Sequence, residues 1–370
     1  MKNIFNMILL GSLLTVSSCG SGAKEPRAKD FKISLGKVKE TAVFTDGSDN
    51  KYSVWGASMV KGDDGLYHIF YSRWPKYLGW SWVTDSEIAH ATSESPFGPW
   101  SFKDVVLERR GKEYWDGWCT HNPTIHKFGD KYYLYYMGNT GDGIVTGTPG
   151  KEKLNWTHRN NQRIGVAVAD SPNGPWTRFD SPLIDVTPND SAYDCLMTSN
   201  PSICEMADGR YLLIYKAVGK RYPLPGGGPV VHLAAISDSP SGPFKKYPQL
   251  IFNFEGERFP AEDPYIWYED GKYRAIVKRM ESADRKRKFS LVQFDSDDGL
   301  NWNVSRHHKV SDLNITFEDG RRVELAHLER PQVYLENGKA KIILCAADTL
   351  DSWKVRHSFN VQLPLDIEKE

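Results

Sequence analysis

The chain has 370 residues, of which 25% are charged, and lysine plus arginine equals aspartate plus glutamate at 47 each. No overall electrostatic field therefore favours nucleic acid or an anionic membrane face. The length suits one large core or two ordinary domains, and no Pro/Ser-rich linker or block of charge divides the chain.

The sequence opens with an early lysine, a short apolar run and small residues that lead to a cysteine, in "MKNIFNMILLGSLLTVSSC". This order is typical of a secretory signal, and the apolar run is too short for a stable transmembrane helix. "VSSC" resembles the lipobox of bacterial lipoproteins, whose cysteine carries the lipid; the alternative is an ordinary cleaved signal with an incidental cysteine. We predict a signal peptide over 1–18, a lipid on Cys19 and a flexible tether over 19–30. One folded domain over 31–370 would then lie in the cell envelope, on the periplasmic side or at the outer-membrane surface, and would contact the membrane through the lipid alone.

Five segments of the remaining sequence share one pattern. Each has a short strand, a turn containing Gly or Asp-Gly, and a second strand with alternating apolar residues. The segments begin at Val54, Thr120, Thr198, Ala261 and Leu328, and four of them have proline at the same place in the first strand. First strands are therefore predicted near 55–60, 121–126, 199–204, 262–267 and 329–334.

A third strand follows in most copies and ends in a shared motif, as in "SPFGPW", "SPNGPW" and "SPSGPF". The copies recur about every 65 to 80 residues, and such a unit buries its faces only by stacking on its neighbours. Antiparallel units of three or four strands at this period are typical of propeller blades. We predict an all-β fold, a five-bladed β-propeller, in which "FKISLGKVKETAVF" supplies an outer strand that closes the ring.

One face of this propeller is predicted to carry the functional residues. The segments that lead into the first strands, and the loops between second and third strands, abandon the repeat pattern and concentrate Trp, His, Asp, Glu and Arg. The opposite face has short turns such as "KFGDK". Because binding and catalytic residues are found disproportionately on loops that a rigid scaffold positions, ligand binding is expected at the first of these faces.

The strand pattern and the "SPxGPW" endings resemble the five-bladed propeller glycosidases, above all glycoside hydrolase family 43 and its relatives. In that family an Asp of a first-blade "DP" is the base, an Asp of a later "DP" adjusts the pKa, and a Glu two residues before a proline is the acid. The resemblance places Glu262 of "EDP" at the acid position. The other two positions differ, with Gly56 and Ala57 in blade one and Asn200 in "SNP". Either another carboxylate is the base, as in more distant propeller glycosidases that also recruit a histidine, or the chemistry differs.

Glycoside hydrolysis needs one protonated group to assist the leaving oxygen and one ionised group across the scissile bond. The predicted catalytic residues are Glu262, Asp263, Glu329 and His121. Crowded carboxylates push their pKa values apart, which lets one stay protonated near neutrality. Alternation along a strand sends Glu262 and Asp263 to opposite sides, so one of them is expected to face the ligand, and the resemblance favours Glu262. The alternative for His121 is a structural role or a ligand to a channel ion.

Aromatic and charged residues near the mouth are the candidate substrate contacts. Indole rings suit stacking on a sugar, and several cations around one funnel suit a carboxylate or sulfate on that sugar. The predicted substrate-binding residues are Trp55, Arg73, Trp74, Trp80, Glu87, Trp115, Asp116, Asn122, Asn200, Lys216, Lys278 and Arg330. The alternatives are that the tryptophans pack between blades and that the cations balance the channel acids.

The predicted function is an exo-acting glycoside hydrolase that removes terminal sugars, including acidic or modified ones, from oligosaccharides of plant or algal polysaccharides. One alternative is a polysaccharide lyase, in which His or Tyr removes a proton beside a uronic acid carboxylate held by Arg330 and the lysines. Another is a non-catalytic glycan-binding lipoprotein. No cofactor is required, although a structural channel ion such as calcium is compatible with the fold. A monomer without a nucleic-acid partner is expected.

The cysteines beyond the first nineteen residues match no zinc spacing. Cys204 and Cys345 are expected to be buried in strands. Cys119 and Cys195 are candidates for a disulfide in an oxidising compartment.

Overall fold

The computed structural model describes residues 29–46, 51–253, 257–283, 286–349 and 357–370. Five antiparallel sheets dominate these residues; four of them consist of four successive strands, and the fifth combines the last three strands with strands from the beginning of the described residues. The predicted signal peptide, Cys19 and nearly all of the predicted tether lie outside the described residues.

The strands follow one another blade by blade along the sequence. Two segments come first, β1 (Phe31–Leu35) and β2 (Val43–Phe44), with a 3-10 turn over Glu40–Ala42 between them. Blade one contains β3 (Tyr52–Lys61), β4 (Tyr67–Pro75), a 3-10 turn (Lys76–Leu78), helix α1 (Trp82–Asp85), β5 (Glu87–Ser93) and β6 (Ser101–Leu107). Blade two contains β7 (Cys119–Phe128), β8 (Lys131–Asn139), helix α2 (Trp156–Asn160), β9 (Arg163–Ala169) and β10 (Thr177–Arg178). Blade three contains β11 (Met197–Glu205), β12 (Tyr211–Val218), β13 (Val230–Ser237) and β14 (Lys245–Ile251). Blade four contains β15 (Ala261–Glu269), β16 (Lys272–Ala283), β17 (Lys286–Ser296) and β18 (Asn303–Ser311). A small hairpin, β19 (Asn314–Thr316) and β20 (Arg322–Glu324), leads to blade five, which contains β21 (His327–Glu336), β22 (Lys339–Asp348) and β23 (Ser358–Lys369).

Blade five takes its outer strand from the beginning of the described residues. β1 pairs antiparallel with β23, from Phe31 opposite Lys369 to Leu35 opposite Leu365. This pairing confirms the predicted closing strand. The five blades, whose first strands β3, β7, β11, β15 and β21 contain the five predicted ranges, confirm the all-β propeller.

The hydrophobic cores lie between neighbouring blades. Trp267 of blade four packs in one cluster with Val361 of blade five, and Phe70 of blade one packs in another with Tyr136 of blade two. Alternating side chains give each sheet two apolar faces, and each face is covered by the next blade.

Each first strand has the same irregularity just before the middle of its length. Its pairing with the second strand skips two residues, for example from Glu262 to Tyr265 in β15. The first skipped residue has a left-handed backbone in every blade, with φ of 59° at Gly56, 52° at Asn122, 50° at Asn200, 51° at Asp263 and 54° at Arg330. Such a bulge re-aims a side chain, and here it turns one residue per blade toward the others. We call these five residues the channel ring.

The candidate disulfide between Cys119 and Cys195 is not formed in the structure. Both thiols are free and buried, and each lies within 3.3 Å of a backbone carbonyl, to which it donates. Cys204 and Cys345 are buried in β11 and β22, as predicted. No helix in the described part of the chain is long and apolar enough to cross a membrane.

Candidate active site

The channel ring closes the centre of the propeller with polar side-chain contacts. Asn122 Nδ2 donates to Asn200 Oδ1 at 2.8 Å, and Asn200 Nδ2 donates to Asp263 Oδ1 at 2.5 Å. Arg330 continues the ring, because its Nη1 lies 4.0 Å from the same Asp263 oxygen and its Nη2 donates to the Asn122 carbonyl at 2.9 Å. None of these four residues is more than 7% exposed. The ring is therefore the floor of the site, and the direct substrate contacts predicted for Asn122, Asn200 and Arg330 are corrected to this supporting position.

Gly56 leaves the space that Arg330 fills. A Cβ on Gly56 would lie 2.9 Å from Cγ of Arg330 and 3.2 Å from Oδ1 of Asn122. Blade one therefore has no carboxylate, and no room for one, where the resemblance implies the base. Nε and Nη1 of Arg330 have no hydrogen-bond partner among the described residues, and burial lowers its pKa while Asp263 and Glu262 oppose that shift.

Four charged side chains stand beside this floor, in blades three to five. Nζ of Lys216 lies 3.0 Å from Oε1 of Glu262, and Nζ of Lys278 lies 2.9 Å from Oε2 of the same carboxylate. Lys278 also contacts Oε1 of Glu329 at 2.6 Å. Glu262 and Glu329 each precede a ring residue in their strands, one position nearer the predicted functional face. We call Lys216, Glu262, Lys278 and Glu329 the charged cluster.

The pKa values of the two adjacent carboxyl groups of β15, Glu262 and Asp263, are shifted in opposite directions. Burial alone would raise the pKa of Glu262, but the charges of Lys278 and Lys216 overcome it and hold that pKa well below its ordinary value. Burial, together with the charge of Glu262, raises the pKa of Asp263 to about 6. An ionised carboxylate thus lies beside one that is readily protonated, the separation that acid–base chemistry requires. Glu262 is partly accessible and Asp263 is 4% exposed, so one of the pair faces the mouth.

Blades one and two contribute aromatic side chains at the same level. Trp55 and His121 each precede a ring residue, as the two glutamates of the charged cluster do. The ring centroid of His121 is 4.9 Å from that of Trp82, and its Nδ1 is 2.7 Å from the hydroxyl of Ser86. Trp80 and Trp82 are half-buried and meet edge to face at 6.5 Å. His121 itself is buried, as its structural alternative implies. The site therefore has an aromatic side in blades one and two and a charged side in blades three to five.

The predicted substrate contacts Arg73 and Glu87 are engaged elsewhere. Arg73 Nε lies 2.8 Å from Glu87 Oε1, and its Nη1 lies 2.7 Å from Asp46 Oδ2. The guanidinium also stacks on Tyr52 at 4.2 Å and on Phe102 of the outer strand β6 at 4.5 Å. Arg73 therefore points along the blade toward its outer edge, and these two predictions are wrong.

Three further predicted contacts support the fold. Trp74 is 1% exposed, and its Nε1 donates to a carbonyl of the following loop at 2.9 Å. Asp116 is fully buried and accepts hydrogen bonds from Arg110 and Tyr136, both at 2.7 Å. Trp115 stacks on Tyr136 with centroids 5.8 Å apart. The packing alternative therefore holds for these tryptophans, and Asp116 is a structural acid.

Sequence reasoning missed two residues beside the charged cluster. His232 of β13 lies directly opposite Lys216, is fully buried, and has no hydrogen-bond partner for either ring nitrogen in the described part of the chain. Burial and the charge of Lys216 lower its pKa to about 3. Arg159 of α2 lies close enough for Glu262 to counter the burial that lowers its pKa to about 10. The cross-strand register of Lys216 was the signal for His232, whereas nothing in the sequence brings α2 toward blade four.

A calcium ion does not fit the channel ring. The ring contains a single carboxylate, Asp263, and Arg330 already supplies a positive charge beside it. No group of three or more His, Cys, Asp or Glu residues suited to a metal occurs among the described residues.

Comparison with known proteins supports the fold. No family model and no curated protein sequence matches the chain. A family 117 glycoside hydrolase from the marine bacterium Zobellia galactanivorans is similar with a TM-score of 0.61 and 20% identity, over 92% of this protein and 91% of that one. An endo-arabinase from Bacteroides thetaiotaomicron is similar with a TM-score of 0.55 and 14% identity, over 90% and 98% of the two proteins. A thermostable family 43 glycoside hydrolase gives 0.56 and 14%, over 90% and 92%. The protein thus has the fold of five-bladed propeller glycoside hydrolases.

Proposed function

We propose that this protein is a glycoside hydrolase that reacts at the charged cluster and prefers sugars bearing a carboxylate or sulfate. The observation that carries the proposal is Glu262 held between two lysines at the mouth, with Glu329 on the second lysine. The similar folds that are named as hydrolases of families 117 and 43 support the reaction class.

The two lysines explain why a charged substrate would matter. In the protein without substrate they keep Glu262 ionised, which is unsuitable for a general acid. Lys216 is the more exposed lysine, and Glu262 is its acidic partner among the described residues. A substrate anion that draws Lys216 away removes one of the charges that hold down the pKa of Glu262, so this carboxyl can take up the proton that the leaving oxygen needs. Glu329, paired with Lys278, is then the carboxylate that activates water.

The closed floor supports attack at the end of a glycan. Because the channel ring blocks the centre, a sugar at the charged cluster has its neighbours only on the outward side. The half-buried Trp80 and Trp82 on the aromatic side offer faces on which a sugar ring can stack. The proposed substrates are therefore oligosaccharides of plant or algal polysaccharides, cleaved at a terminal anionic sugar.

Two alternatives make different products. The lyase requires Arg330 to hold a uronic acid carboxylate, which its complete burial disfavours. A non-catalytic glycan-binding protein is favoured by Gly56, which leaves blade one without a base. The proposed hydrolase does not need a base in blade one, because Glu329 takes that role.

Product analysis on paired substrates tests the proposal. Oligosaccharides ending in a uronic acid or a sulfated sugar are incubated with the protein beside their neutral counterparts. New reducing ends are expected, formed faster from the anionic member of each pair, and Lys216→Met should abolish that preference. Lys32→Met, which removes a lysine paired with Glu368 at the outer edge, is the matched control. An unsaturated chromophore would identify a lyase, binding without any product would identify a binding protein, and an unchanged preference in Lys216→Met would refute the role of this lysine.

A further inference from the structure

Three arginines lie in or beside the loop between β12 and β13, residues 219–229. Nη1 of Arg159 donates to a carbonyl of this loop at 3.0 Å. Arg221 belongs to the loop, and the guanidinium of Arg258 lies over the ring of Tyr222, another loop residue. We call Arg159, Arg221 and Arg258 the rim arginines. Arg159 belongs to helix α2 of blade two, Arg221 to the loop of blade three, and Arg258 to the segment that leads into blade four.

Each of the three guanidinium groups lies over an aromatic ring. Arg159 lies 5.5 Å from the ring centroid of Trp156, Arg221 lies 3.8 Å from that of Tyr193, and Arg258 lies 4.4 Å from that of Tyr222. A cation–π contact of this kind needs no acidic partner, and the guanidinium keeps N–H groups that can donate to an acceptor. The rim arginines are therefore oriented without an acidic partner.

Their ion pairing differs from that of the cations beside them. None of the three has a carboxylate within 4.0 Å among the described residues, where Arg159 and Arg221 donate to backbone carbonyls instead. By contrast, Lys220 pairs with Asp190 at 2.6 Å and Arg279 pairs with Glu257 at 2.6 Å. Arg221 and Arg258 are exposed, so the charge at this rim is available to a ligand.

The rim arginines are continuous with the charged cluster. Lys216 lies two residues before the end of β12, and the loop follows directly. The charge of Glu262 also acts on Arg159. The loop that carries Arg221 therefore begins three residues after Lys216, at the same end of blade three.

We propose that the rim arginines form a second anion-binding site, which takes the carboxylate or sulfate groups of the sugars next to the one at the charged cluster. The ligand is accordingly a polyanionic glycan, and Trp156, which is 40% exposed, offers it a stacking surface. The direction of the glycan rests on the proposed function, whereas binding itself does not.

The test measures binding, so it does not depend on turnover. Full-length Arg221→Gln/Arg258→Gln is compared with wild type by calorimetry at low salt. The probes are hexamers of galacturonic acid, their methyl esters and a sulfated galactan hexamer. Arg210→Gln is the matched control, because Arg210 pairs with Asp208 at 2.8 Å in the turn between β11 and β12, on the opposite face.

The double variant should bind the anionic hexamers about 10-fold more weakly or worse, since two charge-assisted contacts are lost. The methyl esters should bind weakly to both proteins, and the control should match wild type. The anionic hexamer that binds more tightly identifies carboxylate or sulfate as the preferred group. Wild-type affinity in the double variant, or equal binding of acid and ester, would overturn the inference, as would arginine-dependent binding to phosphatidylglycerol vesicles but not to glycans. Arginine-dependent glycan binding without hydrolysis would refute the proposed function alone.

Discussion

Glu262→Gln keeps the size of the side chain and removes the charge between the two lysines. Turnover of a substrate with a poor leaving group should fall by about 10² or more, in line with the contribution of a general acid. Aryl glycosides should lose less, because their leaving groups need little protonation. This difference separates a lost acid from a damaged site.

The same change should destabilise the fold by an amount set by the contacts. Removal of one partner from a buried ion pair costs about 3–5 kcal/mol. The side chain of Glu262 is 18% exposed, and Lys278 keeps Glu329, so we expect about 2 kcal/mol of unfolding free energy to be lost at pH 7. The folded-state pKa of Glu262 lies below its unfolded value of about 4.3. Its stabilisation is therefore complete above that pH and is lost as the pH falls toward the folded-state pKa, so the difference between variant and wild type should shrink below about pH 4.

Urea denaturation at pH 7 and pH 3, together with initial rates on natural and aryl glycosides, measures both effects. Glu368→Gln removes a carboxylate from the exposed pair with Lys32 and should change neither quantity. Near-normal turnover of the poor leaving group by Glu262→Gln would refute the reasoning. If Asp263→Asn or Glu329→Gln abolishes turnover instead, the acid belongs to that position.

Asp263→Asn should raise the unfolding free energy by about 3 kcal/mol at pH 8 and leave it unchanged at pH 3, because a carboxyl with a folded-state pKa of about 6 destabilises the fold once the pH passes its unfolded value. Denaturation at both pH values measures this difference. Gly56→Ala should lower the unfolding free energy by about 1–3 kcal/mol, because alanine would have to adopt a left-handed backbone and its Cβ would lie 2.9 Å from Cγ of Arg330. Thermal denaturation measures the loss, and an unchanged Tm would contradict the ring geometry. Cys119 and Cys195 should both be alkylated in denaturant without reductant, and mass spectrometry that finds either one protected would contradict the free thiols. Cys19→Ser should release the protein from the membrane fraction, and unchanged fractionation would exclude the lipid anchor.

The blades were predictable because their signals are local. A proline, a Gly-containing turn and alternating apolar residues recur within about twenty residues, and together they locate each first strand. The left-handed residue was not predictable: Asn and Asp, which adopt positive φ more readily than most residues, occupy it in three blades but also occur throughout the sequence, and Arg330 occupies it in blade five. Glu262 is partly accessible and Asp263 is buried, and a bulge after Glu262, rather than simple alternation, separates the two side chains.

The partners of the charged residues were beyond sequence reasoning because they come from distant segments. Lys216 meets Glu262 across 46 positions, and Arg73 meets Asp46 across 27. Arg73 and Lys216 were both predicted to contact the substrate, and both lie near the end of a second strand. The register shows otherwise, since Lys216 is opposite the residue that precedes the bulge, whereas Arg73 is one position further along. A shift of one residue sends a side chain to the other face of a sheet, which accounts for the error.

The pairing of β1 with β23 places both ends of the described residues side by side at the outer edge of blade five, where the N–H of Glu370 donates to the carbonyl of Asp30 at 3.0 Å. A short linker between these two residues would give a circularly permuted protein, with new termini opened in the turn between β11 and β12, on the face opposite the channel mouth. An affinity tag at the C-terminal end would likewise attach the protein to a support through the outer edge of blade five, so that the immobilised protein presents its channel mouth unobstructed to soluble glycans.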